Sequence, residues 1–243
     1  MGSVIIVLSC VFVGAFLQAN IGFGFPIVAM ILFPRFFPFS TAVTLTQLIA
    51  MASTGYLTAK YWNKIQWKAL FPLLFASLAV AAFVTLFSLK VEQGKLVIVL
   101  GISLVLIALY FSIFSQSIHI QAKACNGLLM GTLAGFGNGL FGIGGPPVAL
   151  YLLPALPGKL EYLATIQAYF FFCNLESIVI RTLNGALVVE QLYLIPLGWV
   201  VIGLGTFFGL KLFDKIPSHI LKRIVYLFVG LSGLWIVVEA LLQ

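Results

Sequence analysis

Residues Gly131 to Leu153 read GTLAGFGNGLFGIGGPPVALYLL, and this stretch decides the fold. It lies in an uncharged run, Ala124 to Gly158, which exceeds the roughly 20 apolar residues that a helix needs to cross a bilayer. In the middle of the run, Gly142 to Pro147 places glycines directly before two prolines. Glycine loses backbone entropy in a helix, and proline removes a backbone donor and clashes with the preceding turn. The sequence therefore predicts a membrane helix that is broken at its centre.

The same pattern occurs a second time near the N-terminus, where Gly14 to Pro34 read GAFLQANIGFGFPIVAMILFP. A shift of 120 residues aligns identical residues of the two copies: Gly22, Gly24, Pro26, Val28, Ala29, Leu32, Pro34 and Gln47 fall on Gly142, Gly144, Pro146, Val148, Ala149, Leu152, Pro154 and Gln167. Later segments align at shifts of 124 and 129 residues, as loop insertions require. Such a repeat indicates two homologous units. We expect an N-terminal repeat, residues 1–116, and a C-terminal repeat, residues 117–243.

The composition of the whole chain agrees with a membrane protein. Hydrophobic residues make up 62% of the 243 residues and charged residues 8%, against about 25% charged in soluble domains. A disordered chain and a secreted disulfide scaffold are excluded, and basic residues in loops explain the net charge of +7 without a nucleic-acid partner. The prediction is an all-α polytopic membrane protein with eight hydrophobic segments, four in each half: 3–33, 39–59, 68–88, 95–115, 122–153, 160–183, 191–213 and 220–241.

The basic residues distinguish two ways of threading the broken segments through a membrane. If each broken segment is a re-entrant hairpin, which leaves the membrane on the side it entered, nine Lys and Arg residues fall on one side and four on the other. If each broken segment crosses once, the split is five against eight. Because cytoplasmic loops carry the excess of basic residues, the hairpin arrangement is favoured. It makes the two halves inverted with both termini outside, and two long tilted helices are the alternative.

Eight segments in two halves, each half opening with a glycine-rich break before proline, resemble the sulfite exporter TauE/SafE family of membrane transporters. The resemblance covers essentially the whole chain and is strongest at Gly131 to Leu153. The first copy departs from it, with Gly24–Phe25 where the second has Gly144–Gly145. The resemblance implies transport of small anions, such as sulfite, sulfonates and related organosulfur acids, across the bacterial inner membrane. It implies no residue role beyond the glycine and proline segments.

Candidate substrate-binding residues lie at and after the two breaks. Backbone N–H groups at the start of a half-helix attract anions through hydrogen bonds and the helix dipole. Gln47 and Gln167 share one repeat position, and a neutral amide can donate to an anion oxygen. The full candidate set is Asn20, Gly22, Gly24, Gln47, Asn138, Gly142, Gly144, Gly145, Gln167 and Asn174. The alternative for the amides is a structural role, in which they hydrogen-bond one helix to another. Gly127, Gly131, Gly135 and Gly139 recur every four residues and indicate a stripe for close helix packing.

Glu176 is the carboxylate that lies deepest in an apolar segment. An ionised carboxylate at the bilayer centre costs about 2.5–3.5 kcal/mol on insertion scales, so a carboxylate there needs a role. Two roles are open: it carries a proton that is coupled to anion movement, or it pairs with Arg181.

The sequence predicts a secondary transporter that works by alternating access in the cell inner membrane. Its partners are a small anionic substrate and the lipid bilayer, and no cofactor or metal is expected. A passive anion channel is the alternative. An intramembrane enzyme is less favoured, because the apolar segments hold no nucleophile–base pair and no metal-ligand set. A homo-oligomer, the identity of the anion, the direction of transport and the coupling ion are left open.

Overall fold

The computed structural model describes residues 2–114, 123–156, 158–186, 191–212, 230–231 and 233–238. Within these residues the fold is all-α and has no strand. Two 3-10 turns, Phe33–Arg35 and Trp62–Lys64, accompany the helices α1 (Gly2–Ile21), α2 (Phe25–Leu32), α3 (Phe39–Lys60), α4 (Trp67–Ser88), α5 (Gln93–Phe114), α6 (Ala124–Phe141), α7 (Gly145–Ala155), α8 (Lys159–Leu183) and α9 (Leu194–Leu212). Of the segment predicted at 220–241, residues 230–231 and 233–238 are described, and they are helical.

Four of these helices are long and apolar enough to cross a membrane: α1, α4, α8 and α9. Their outward faces carry large apolar side chains that no other part of the described chain covers, such as Phe75 and Phe83, with 75% and 73% of their surface exposed. A soluble protein does not expose apolar surface on this scale, whereas hydrocarbon solvates it. The chain is a multi-pass membrane protein.

The first break lies between α1 and α2. Gly22 and Gly24 have φ angles of 92° and 152°, which residues with a Cβ rarely adopt. Pro26 follows in the first turn of α2, where a helix has no use for the backbone donor that proline lacks. Because glycine allows the reversal and proline restarts the helix, the interruption predicted here is present.

After this break α2 folds back along α1. The Cys10 thiol contacts the carbonyl oxygen of Val28 at 3.5 Å. Closer to the break, a Cβ added at Gly14 would stand 3.0 Å from the Cα of Phe25. Since the residue numbers rise on one helix as they fall on the other, α1 and α2 form an antiparallel helical hairpin.

The second break repeats this geometry between α6 and α7. Gly142 ends α6 in the left-handed conformation, with φ 72° and ψ 15°. A Cβ added at Gly144 would stand 3.0 Å from the carbonyl oxygen of Ala134, and one added at Gly127 would stand 3.1 Å from the hydroxyl of Tyr151. Here too the second helix runs back along the first. The alternative of two unbroken long helices is excluded.

The small-residue stripe of α6 packs against α4. A Cβ at Gly131 would collide with the carbonyl oxygen of Leu73, one at Gly135 would stand 2.7 Å from that of Ser77, and one at Gly139 would stand 2.9 Å from that of Ala81. Glycine is therefore required for the close approach of the two backbones, which is the packing role that its four-residue spacing indicates. The two helices run parallel.

A matching contact joins α1 to α9. Gly205 faces the carbonyl oxygen of Phe12, and Gly209 faces that of Phe16. These helices also run parallel. The first helix of each hairpin thus packs against a helix that is distant in sequence: α1 against α9, and α6 against α4.

Helices α3 and α8 form the centre of the bundle and run antiparallel to each other. Ser40 at the start of α3 contacts Arg181 near the end of α8, while Gln66, beyond the end of α3, donates to Thr165 near the start of α8. Ser40, Ser88 and Arg181 therefore lie together at one end of the bundle. The α5 helix begins at this end and packs against residues 233–238, where Gly101 faces the carbonyl oxygen of Gly233.

Candidate functional site

The two breaks meet in the interior of the bundle. A Cβ added at Gly145, the first residue of α7, would stand 2.7 Å from the Cβ of Phe23 in the first break. A small apolar cavity lies between them, lined in part by Pro26, Ile143 and Phe170. The structure thus brings to one cavity Gly24 and Gly145, two of the glycines that the sequence proposed for a site, although they are 121 residues apart.

At the first break, two amides and a backbone carbonyl form a chain of hydrogen bonds, called the first amide cluster below. Gln18 donates from Nε2 to Oε1 of Gln167 at 3.2 Å, and Gln167 donates from Nε2 to the carbonyl oxygen of Gly22 at 2.9 Å. Both side chains are buried. Tyr162 donates to the neighbouring carbonyl of Ile21 at 2.9 Å. The carbonyl groups of Ile21 and Gly22 at the end of α1, which the break leaves without helical donors, are therefore bound by donors from α8.

At the second break, Gln47 and Asn138 take the corresponding places and form the second amide cluster. The Nε2 atom of Gln47 would lie 3.4 Å from a Cβ at Gly142, and the Cβ of Asn138 would lie 3.4 Å from one at Gly144. Gln47 is 1% exposed and Asn138 is 0% exposed. All four of their amide atoms are buried, and none has a hydrogen-bond partner among the described residues. Unpaired amide groups at this depth are costly, which marks the cluster as a candidate ligand site.

Arg181 binds the last turn of α6, the turn that also carries Asn138. Its Nη2 donates to the carbonyl oxygen of Gly139 at 2.8 Å, and its guanidinium also contacts the hydroxyls of Ser40 and Ser88 at 3.3 and 3.4 Å. The side chain is 1% exposed. In the part of the chain that the structure describes, no carboxylate pairs with it, Glu176 included. The sequence alternative of a Glu176–Arg181 pair is therefore not what the structure has.

The remaining sequence candidates lie further from the breaks or bond locally. Asn20 donates from Nδ2 to the carbonyl of Phe16 in its own helix at 2.8 Å. Asn174 is buried on α8, about two turns beyond Gln167. Glu176 is partly buried on α8, and one of its carboxylate oxygens is buried with no partner among the described residues.

Sequence reasoning missed two contributors to the site. Gln18 belongs to the first amide cluster, and the same shift of 120 residues places it on Asn138, an amide on an amide, so the repeat carried the signal. Tyr169 is buried on α8, bonds to Ser77, and would lie 3.0 Å from a Cβ at Gly144. No local pattern distinguishes this tyrosine from a core residue. Over the described residues, no group of three or more His, Cys, Asp or Glu could hold a metal ion.

Comparison with known proteins gives one match. A family model described as "Sulfite exporter TauE/SafE" matches residues 6–236, nearly the whole chain. No curated protein and no solved structure matches the chain.

Proposed function

Because the chain belongs to the sulfite exporter TauE/SafE family, we propose that it is a secondary transporter that carries small sulfur-containing anions, such as sulfite or organosulfonates, across the bacterial inner membrane. The family is described as one of sulfite exporters, which are membrane transporters of an anion. The particular anion, the alternating-access mechanism and the choice of membrane are our proposal.

One observation carries the proposal: two broken helices meet inside the bundle, and the buried amides of Gln47 and Asn138 at the second break have no hydrogen-bond partner among the described residues. The start of α7 directs the positive end of a helix dipole toward this region, and α2 does the same from the other half. Paired broken helices in two halves of a transporter indicate the substrate site, where irregular backbone lines a cavity. The substrate is accordingly assigned to the junction of the two breaks.

Alternating access follows from two inverted halves, residues 1–116 and 117–243. The helix packing supports this division, because it is reciprocal. Helix α1 of the first half packs against α9 of the second, α6 of the second packs against α4 of the first, and α3 packs against α8. The hairpins support it as well, because each returns toward the end of the bundle from which it started. Rocking of one half against the other opens the junction to each side in turn.

Glu176 is the proposed proton carrier. It lies on α8 between Gln167 of the first amide cluster and Arg181, which binds the end of α6. Its buried carboxylate oxygen has no hydrogen-bond partner in the described chain. Intramembrane carboxylates of this kind form proton relays in transporters. Protonation of Glu176 would accompany movement of the anion.

The test is transport by the purified protein in proteoliposomes. Sulfite and methanesulfonate are expected to enter with saturation, and uptake is expected to accelerate when the same anion is loaded inside. Protein-free liposomes, and a Lys60→Gln variant changed at the edge of the bundle, are the controls. Flux that does not saturate and ignores the anion on the opposite side would establish a passive channel instead. Absence of flux for every sulfur oxyanion overturns the proposal.

A further inference from the structure

The two amide clusters occupy the same repeat positions but are not equivalent. In the first, Gln18 reaches Gln167, and Gln167 reaches Gly22, so three of the four amide atoms have partners and one does not. In the second, none of the four atoms of Gln47 and Asn138 has a partner among the described residues. One cluster is closed by its own hydrogen bonds, and the other is open.

A single methylene group accounts for the difference. The first cluster has glutamine at position 18, whereas the repeat-related position 138 has asparagine, whose side chain is shorter by one carbon. The glutamine at position 18 reaches the amide of Gln167, whereas the shorter asparagine at position 138 makes no hydrogen bond with Gln47. A buried amide stays unpaired only where something else binds it, because interior polar groups are almost always hydrogen-bonded.

Charge specifies what binds there. Arg181 donates to the carbonyl of Gly139, the residue next to Asn138, and is 1% exposed. Its hydrogen bonds go to neutral oxygens, and no carboxylate pairs with it in the described chain. Buried charges are normally paired, but the last turn of α6, which carries Asn138, binds a positive charge that has no ionic partner among the described residues. Glu176, on the same helix, does not supply the missing partner.

We infer that the two clusters have divided their roles: the first is a structural lock that closes the broken end of α1, and the second, together with Arg181, is the binding site for an oxyanion of one negative charge. The amide N–H groups of Gln47 and Asn138 donate to anion oxygens, and the single charge of Arg181 balances a single charge on the ligand. A dianion brings a second charge that nothing in the described site compensates. This inference rests on the proposed transport of sulfur oxyanions and assigns its site and its charge class.

The test uses calorimetry on the purified full-length protein with two probes whose charge is fixed between pH 6 and 8. Methanesulfonate is a monoanion, and sulfate is a dianion. We expect the wild type to bind methanesulfonate at least about 10-fold more tightly than sulfate. Gln47→Ala and Asn138→Ala should each weaken methanesulfonate binding about 10-fold or more, the usual effect of losing one partner of a buried polar contact.

The matched variants of the first cluster, Gln167→Ala and Gln18→Ala, should instead lower the melting temperature and weaken methanesulfonate binding less than about 3-fold. Melting temperatures measured without ligand separate the two roles even if a variant is poorly folded, because the open cluster contributes no internal hydrogen bond to lose. Arg181→Lys should keep the preference for the monoanion, and Arg181→Gln should lose it.

Two results overturn the inference: equal losses of affinity in Gln47→Ala and Gln167→Ala, or sulfate bound as tightly as methanesulfonate by the wild type. A wild type that binds neither probe, nor sulfite, overturns the proposed function itself. The two failures are thus distinguishable, since the first requires a protein that binds and the second one that does not.

Discussion

Arg181 donates a hydrogen bond from Nη2 to the carbonyl oxygen of Gly139 over 2.8 Å. In an unbroken helix this carbonyl would accept from the backbone N–H of Ile143, but Ile143 donates to Gly137 instead. The break therefore releases an acceptor inside the protein, and a side chain from α8 binds it. The interruption of α6 and the guanidinium of Arg181 form one structural unit.

Arg181→Ala is expected to destabilise the folded protein by about 1–3 kcal/mol, because it leaves a buried acceptor poorly bound. The measurement is thermal or denaturant unfolding of the purified protein without ligand. Lys95→Ala is the control, since Lys95 forms an exposed ion pair with Glu92 at 3.2 Å, and such pairs contribute about 0–1 kcal/mol. Equal melting of Arg181→Ala and Lys95→Ala would contradict the assigned role of Arg181.

Two glycines of α9, two residues apart, allow a matched test of helix packing. A Cβ at Gly205 would stand 2.6 Å from the carbonyl oxygen of Phe12, whereas a Cβ at Gly203 would meet nothing within 4 Å. Gly205→Ala is expected to lower stability by about 1–3 kcal/mol through overpacking. Gly203→Ala should raise it by about 0.5–1 kcal/mol, because alanine favours the helix. Similar melting temperatures for both variants would mean that α1 and α9 are not in this contact.

Labelling with a membrane-impermeant maleimide tests the hairpin of the second half. Cys125 at the start of α6 precedes the α6–α7 hairpin in sequence, and Lys159 at the start of α8 follows it. Cys125 is exposed. Cys125 in the wild type and Lys159→Cys in a Cys125→Ser background should react from the same face. Asn184→Cys, beyond the end of α8, should react from the opposite face. If Cys125 and Lys159→Cys react from opposite faces, the α6–α7 segment crosses the membrane.

Glu176→Gln tests proton coupling. If Glu176 carries the proton, the variant should bind anion with nearly unchanged affinity, but its uptake into proteoliposomes should no longer respond to a pH gradient. Glutamine keeps the size and polarity of the side chain and removes the titrating group, so folding should be retained. A well-folded Glu176→Gln protein with normal pH-driven uptake would exclude this residue as the carrier.

The breaks could be predicted from the sequence because their cause is local. Glycines with positive φ, followed by a proline in the first helical turn, interrupt a helix wherever they stand, and Gly22, Gly24, Gly142, Pro26 and Pro146 do so here. The repeat then indicated that the two interruptions belong together. Their contact inside the bundle agrees with that prediction.

The partners of the freed polar groups could not be predicted, because they come from helices that are distant in sequence. Which donor reaches the carbonyl of Gly139 depends on where the end of α8 lies relative to α6, and sequence proximity wrongly suggested Glu176 as the partner of Arg181. The inequality of the clusters had the same origin. Gln47 and Gln167 look identical in the repeat, and their neighbours at positions 138 and 18 decide whether their amides are paired.

The two breaks are in close contact, because a Cβ at Gly145 would stand 2.7 Å from the Cβ of Phe23. Gly145→Ala should force the breaks apart and reduce transport of methanesulfonate at least about 10-fold, since a rigid core transmits such a shift to the neighbouring amides. Phe23→Gly removes both the Cβ and the ring that a Cβ at Gly145 would meet, and it leaves space at the same point. The double variant should therefore transport better than Gly145→Ala alone.

Coupling of this sign is expected only for residues in direct contact, because changes at separate sites add. Gly94→Ala, where a Cβ would meet nothing within 4 Å, controls for the loss of a glycine as such. If the effects of Gly145→Ala and Phe23→Gly on transport simply add, the two breaks do not act on each other through this contact.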